Sequence, residues 1–184
     1  MARICVFCGS RSGNLPEFAD AAELLGTCLA ESGHTLVYGG GSTGIMGIIA
    51  NAVLRHGGNV IGVIPKHLAR PELMHDGVAD MRITLDMHER KALMHSLADA
   101  YIALPGGYGT LEELFEAVTW AQLEIHQCQV AVLNICGLYN GLVTMLDQMT
   151  EHGFLSQDCR RHLEIFSNTA DMLQWTAALG PTQN

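Results

Sequence analysis

The stretch AYIALPGGYGTLEELFEAV, Ala100 to Val118, holds a strand, a turn and the start of a helix in nineteen residues. Ala100 to Leu104 is a short unbroken apolar run, the pattern of a strand buried on both faces. Pro105, Gly106, Gly107 and Gly109 then break it. Beyond the loop, Leu111, Leu114, Phe115 and Val118 follow the i, i+3, i+4, i+7 spacing of a helix packed on one side, which leaves Glu113 pointing away from the stripe.

The same alternation extends in both directions. Strands are expected over Arg3 to Cys8, Thr35 to Tyr38, Asn59 to Ile64, Arg82 to Leu85, Ala100 to Leu104 and Val130 to Ile135, with a seventh over Leu163 to Phe166. Helices are expected over Pro16 to Ser32, Gly44 to His56, Met87 to Ala98, Leu111 to His126, Gly141 to His152 and Thr169 to Leu179. This predicts an α/β chain with a three-layer, doubly wound, Rossmann-like fold and a mainly parallel sheet of six or seven strands. At 184 residues and 19.9 kDa it fits one domain, residues 1–180, with a loose tail at 181–184. Three strand ends carry glycine: Cys8-Gly9-Ser10, Gly39 to Gly44 and Pro105 to Thr110. Ligands of such folds sit beyond the carboxyl ends of the strands, so the three loops should meet at one crevice.

Composition removes several functions. A net charge of -9 argues against duplex DNA or RNA as a partner, because phosphate backbones need clustered Lys and Arg. Apolar residues make up 48%, yet no run approaches the roughly 18 residues of a membrane span. MARICVFCGS enters a strand with no room for a signal peptide, which predicts a cytoplasmic protein with its six cysteines as reduced thiols in the interior. Cys5 and Cys8, in one strand, should point to opposite faces and share no metal. The nine histidines form no HExxH and no Cys/His cluster, so no metal is expected.

Gly39 to Gly44 satisfies G-x-G-x-x-G, but a dinucleotide site also wants an acid about 20 residues on. No Asp or Glu lies between Gly33 and Pro71, which weakens an NAD-dependent oxidoreductase. The loop, Gly41 included, either contacts a phosphate or packs helix tightly against strand. The second loop, Gly106 to Thr110 with Tyr108 and Gly109, offers free amides at a helix N-terminus, a seat for an anion. Thr110 could cap the helix or donate to phosphate. Upstream, Arg90 and Lys91 interrupt an apolar arc of Met87, Met94, Leu97 and Ala98. Either their stems snorkel to the rim, or they reach over the crevice to an anion. Trp120, seven residues after Glu113, suggests a covered second face, as a partner subunit would provide.

These residues are familiar. CVFCGSRSG, LVYGGGSTGIMG, GVIPKHL, DMHERK, ALPGGYGTLEELFE and TWAQLEIH, spanning Cys5 to about Phe154, resemble the LONELY GUY family of cytokinin riboside 5′-monophosphate phosphoribohydrolases, often labelled possible lysine decarboxylases. The resemblance implies hydrolysis of the bond between an adenine-type base and ribose 5-phosphate, without redox cofactor or metal, on a small-molecule nucleoside monophosphate. It implies Arg90 and Glu113 as the catalytic pair. Glu72, Lys91, Ser10, Gly41, Thr119 and the loop Gly106, Gly107, Tyr108, Gly109, Thr110 are implied around the nucleotide, and a homodimer with sites near the interface. Many relatives carry Lys-Pro after the EIH stretch, where this chain has His126-Gln127-Cys128-Gln129-Val130. A nucleotide carrier of the same fold without turnover is the rival reading. A PLP-dependent decarboxylase needs a Schiff-base lysine, and only Lys66 and Lys91 are present.

Overall fold

A computed structural model describes residues 1–182. The elements run β1 (Arg3–Phe7), α1 (Pro16–Glu31), β2 (Thr35–Tyr38), α2 (Gly44–Arg55), β3 (Asn59–Pro65), β4 (Asp80–Thr84), α3 (Met87–Leu97), β5 (Ala100–Ala103), α4 (Tyr108–Gln122), β6 (Gln129–Leu133), α5 (Asn140–Glu151), α6 (Gln157–Arg160), β7 (Leu163–Phe166) and α7 (Thr169–Ala177). The strands form one sheet in the order β4-β3-β2-β1-β5-β6-β7, every neighbouring pair parallel. The expected doubly wound fold is the one observed.

Both sheet faces are apolar because helices cover both. In β1 the period-two alternation sends Ile4 and Val6 to a core shared with Leu25 of α1 and Ile49 of α2. Cys5 and Phe7 go to the opposite core, with Met94 of α3 and Leu114 of α4. Leu114 is wholly buried there; shortening it to alanine would cost about 2–5 kcal/mol. Cys5 and Cys8 lie in opposite cores, as the strand period requires. Not every thiol is internal, however: Cys28 and Cys159 are half-buried and Cys136 is exposed.

The chain leaves β1 toward β2 on one side and reaches β5 on the other, so the sheet order reverses between β1 and β5. That switch point is where the two connections diverge and open a crevice. Several boundaries move. The helix expected from Leu111 to His126 begins at Tyr108 and ends at Gln122, because Gly107 takes the cap and Glu124 adopts a left-handed φ of 57° that stops propagation. β4 starts at Asp80, since its edge position lets Arg82 pair with Asp80 rather than enter the core. The 3-10 turn Ile135–Gly137 and α6 carry no periodic signal and were not expected. Of the tail, Thr182 donates its hydroxyl to the Asp99 carbonyl at 2.6 Å, and 183–184 lie outside the described residues.

Candidate active site

The ends of β1 and β5 are stitched together: Gly9 N–H donates to the Pro105 carbonyl at 3.0 Å. Gly106 makes this approach possible, because a Cβ there would stand 2.0 Å from Thr110 Oγ1 and 3.0 Å from Gly9 N. Above the junction opens a cavity of about 670 Å³, within the range of small-molecule sites. Ser10, the whole Gly106–Thr110 loop, Arg90 and Glu113 line it. The glycine loops therefore meet as expected.

Each loop contributes differently. Gly107 caps α4 without a side-chain bond, and nothing approaches within 4 Å of where a Cβ would stand on Gly107 or Gly109. The first amides of a helix have no partner inside it, so this open end faces the cavity with donors and the positive end of the helix dipole. Tyr108 is 92% exposed at the rim. Thr110 does not cap the helix: it is its third residue, buried against Gly106. In the loop after β2, only Gly39 reaches the cavity. Gly41 instead bridges Met74, and Ser42 N–H donates to the Leu73 carbonyl at 2.8 Å. This loop is chiefly a packing device.

Arg90 of α3 and Glu113 of α4 form the polar centre. Arg90 Nη1 donates to Glu113 Oε1 at 2.7 Å, and Nε to the Val63 carbonyl at 3.1 Å. The guanidinium fits because Gly39 has no side chain; a Cβ there would stand 2.6 Å from Arg90 Nη2. Glu113 does not point away from the packed side of α4. That side is Thr110, Glu113, Leu114, Ala117 and Ala121, while Phe115 is 38% exposed. The apolar stripe misled because three of the five buried positions are threonine or alanine, and the larger Phe115 lies outside them. Burial pushes the Glu113 carboxyl above its ordinary range, and the Arg90 charge and hydrogen bond oppose that shift.

Lys91 does not face the cavity. Its Nζ is held by Glu112 Oε1 at 2.5 Å and Glu116 Oε1 at 3.2 Å. Glu116 in turn meets His95 Nε2 at 3.1 Å, and His95 Nδ1 meets the Tyr101 hydroxyl at 2.9 Å. The Trp120 ring lies against His95 at a tilt of 34°, ring centroids 4.3 Å apart. His95 of α3 thus covers one side of Trp120, which stays half-buried in the chain. Glu72, in the β3–β4 connection, and Thr119, on α4, are exposed and outside the cavity lining. Periodicity missed further lining residues: Phe18, Ile45 and Met46, which are apolar, and Arg11 and Asn14, which are polar. The one available signal was the position of those residues directly beside the glycine loops.

A family profile described as "Possible lysine decarboxylase" matches residues 46–175. The chain is 49% identical over 172 residues to cytokinin riboside 5′-monophosphate phosphoribohydrolase LOG7 of Arabidopsis thaliana, covering 94% of this chain and 79% of that one. It is 51% identical over 171 residues to LOG1 of the same plant, covering 93% and 80%. Among solved structures, the molybdenum cofactor carrier protein of Chlamydomonas reinhardtii superposes with a TM-score of 0.70 at 20% identity over 95% of each chain, which speaks to the fold alone. No lysine lines the cavity among the described residues, so the chemistry in the profile's description, which would need a Schiff-base lysine, has no side chain to carry it. The identity along nearly the whole chain and the shared fold leave one conclusion: the chain belongs to the LONELY GUY family, whose curated members are named cytokinin riboside 5′-monophosphate phosphoribohydrolases.

Proposed function

We propose that this protein is an enzyme that hydrolyses the N-glycosidic bond of adenine-type nucleoside 5′-monophosphates, cytokinin riboside 5′-monophosphate and AMP, to free base and ribose 5-phosphate. The observation that carries the reading is the shielded Arg90–Glu113 pair lining the same cavity as the open N-terminus of α4. An anion on the Gly106–Thr110 amides is anchored at one end, and the carboxylate is presented to the sugar attached to it.

Glycosidic cleavage passes through an oxocarbenium-like state, with positive charge on the ribose. Glu113 stabilises that charge and takes a proton from the attacking water as its oxygen bonds C1′. The electron pair of the broken C1′–N9 bond leaves with the base, which takes up a proton. Arg90 holds Glu113 in one orientation through Nη1, while its Nε is fixed on β3. Phe18, Ile45 and Met46 supply apolar surface suited to a planar base. Chromatography after incubation with isopentenyladenosine 5′-monophosphate or AMP tests this: free base and ribose 5-phosphate in equal amounts are expected, and their absence with nucleotide still bound would leave a carrier.

The protein acts as a homodimer in this account. Ile83, Leu85 and Met87, from β4 into α3, and Phe115, Leu123 and Ile125, on and after α4, are large apolar side chains left exposed, and the Lys91 bridges join α3 to α4. Light scattering should return twice 19.9 kDa; a monomer at micromolar concentration would contradict it. The six unpaired cysteines suit the reducing cytoplasm, which cell fractionation checks.

A further inference from the structure

The cavity must hold a phosphate dianion beside a carboxylate, and its charges do not yet balance. Glu113 is the one carboxylate among the described lining residues, and Arg90 is engaged in neutralising it. Lys91, the other cation of the Arg-Lys pair, is held between Glu112 and Glu116 and is not part of the lining. Helix-end amides contribute partial charge only. Among the described lining residues one further basic side chain remains, Arg11.

Arg11 is free to act. No ion pair holds it among the described residues. The loop from Gly9 to Leu15 contains no Asp or Glu that could claim it. Its side chain is exposed, but the backbone beneath is clamped from three directions. Gly9 N–H donates to Pro105, Met46 N–H donates to the Gly9 carbonyl at 3.2 Å, and the Thr43 hydroxyl donates to the Ser10 carbonyl at 3.2 Å. Gly44 packs so closely on this segment that a Cβ would stand 2.4 Å from Arg11 N. Two residues before Arg11, Gly9 touches Gly106 of the anion seat. A guanidinium on a fixed base beside free amides is the arrangement that binds phosphate bidentately.

We propose that Arg11 is the phosphate-recognition cation of this site, pairing with the 5′-phosphate held on the Gly106–Thr110 amides and setting the preference for nucleoside monophosphates over unphosphorylated nucleosides. The proposal rests on the nucleotide reading above. It also gives the Gly39–Gly44 loop a purpose, since that loop holds the Arg11 segment in place rather than touching phosphate itself.

The test pairs binding with turnover. Ribose 5-phosphate is titrated calorimetrically into the wild type, Arg11→Ala and Arg11→Lys, and kinetics are measured with AMP and with adenosine. Arg11→Ala should weaken ribose 5-phosphate binding roughly tenfold to hundredfold, raise KM for AMP by a similar factor with the loss in KM and not in kcat, and narrow the AMP-to-adenosine preference accordingly. Arg11→Lys should recover part of the loss, and the salt dependence of KM should flatten in Arg11→Ala. Wild-type affinity for ribose 5-phosphate in Arg11→Ala overturns the assignment, as does absence of binding to the wild type. If the wild type binds ribose 5-phosphate but releases no base, the catalytic reading fails while the titration still decides the role of Arg11.

Discussion

Arg90 Nη1 donates to Glu113 Oε1 at 2.7 Å across 23 residues of sequence, joining α3 to α4 above the point where the sheet order reverses. Both side chains are largely shielded, with 13% and 11% of their surface exposed. A buried pair of this kind is weak evidence for added stability but strong evidence that removing one member is costly.

Glu113→Gln keeps the shape and loses the base. Its kcat should fall by about a hundredfold to ten-thousandfold with the fold intact. Arg90→Ala leaves the buried carboxylate with neither charge nor hydrogen bond opposite it and should lower unfolding free energy by about 3 kcal/mol as well as turnover, a larger stability loss than in Glu113→Gln, where the amide oxygen still accepts from Arg90 Nη1. Urea denaturation beside the kinetics separates the two; equal stability losses in both variants would contradict the asymmetry.

The pH profile follows from the same pair. Catalysis needs the carboxylate, and burial raises the Glu113 carboxyl above the ordinary glutamate value of 4.5, with Arg90 opposing in part. As pH falls through that raised value the base is protonated and kcat/KM drops, so the acid limb should lie above 4.5. Residual activity of Glu113→Gln should lack that limb. An unchanged limb in the variant would assign it to another group.

His95 gives a stability prediction. Burial lowers its pKa, and the Glu116 hydrogen bond opposes that in part. It is therefore neutral at pH 7, accepting from the Tyr101 hydroxyl at Nδ1 and donating to Glu116 from Nε2. Below the ordinary value of 6.5 the unfolded chain binds a proton that the native site resists, so this contribution is present above 6.5 and lost as pH falls toward the native pKa. The groups facing His95 are Glu116, Lys91, Glu112, Tyr101 and His126. Urea midpoints between pH 8 and 5 should fall less steeply in His95→Gln. His34 and His126, lowered by burial too, also contribute to that slope. Parallel curves would contradict the assignment.

Two glycines in one loop should behave oppositely. Gly106→Ala places a methyl 2.0 Å from Thr110 Oγ1 and 3.0 Å from Gly9 N, so thermal unfolding should shift down by several degrees and activity fall with it. At Gly109 a methyl meets open space, so Gly109→Ala should keep the melting temperature and weaken only nucleotide binding. Equal melting temperatures for both variants would remove the argument for close packing at Gly106.

The fold was legible because the central strands are short apolar runs that alternate with helical patterns, and two strands, Thr35–Tyr38 and Leu163–Phe166, match to the residue. Arg90 and Glu113 were legible through family resemblance more than through periodicity, which turned Glu113 outward. A helix whose buried face is built of Thr110, Ala117 and Ala121 hides that face from a hydrophobicity pattern. For Lys91 the sequence leaves both the rim and the crevice open, because proximity to Arg90 says nothing of Glu112 and Glu116, which meet it only after α3 and α4 pack. Arg11 carries no periodic signal at all, and it becomes visible when the three glycine loops converge.

The most direct measurement is chromatography of free base after incubating the protein with AMP, isopentenyladenosine 5′-monophosphate and adenosine, with Glu113→Gln alongside. The account predicts base from both monophosphates, far less from adenosine, and a loss of at least about a hundredfold in the variant. Base release at the wild-type rate by Glu113→Gln would contradict the central claim.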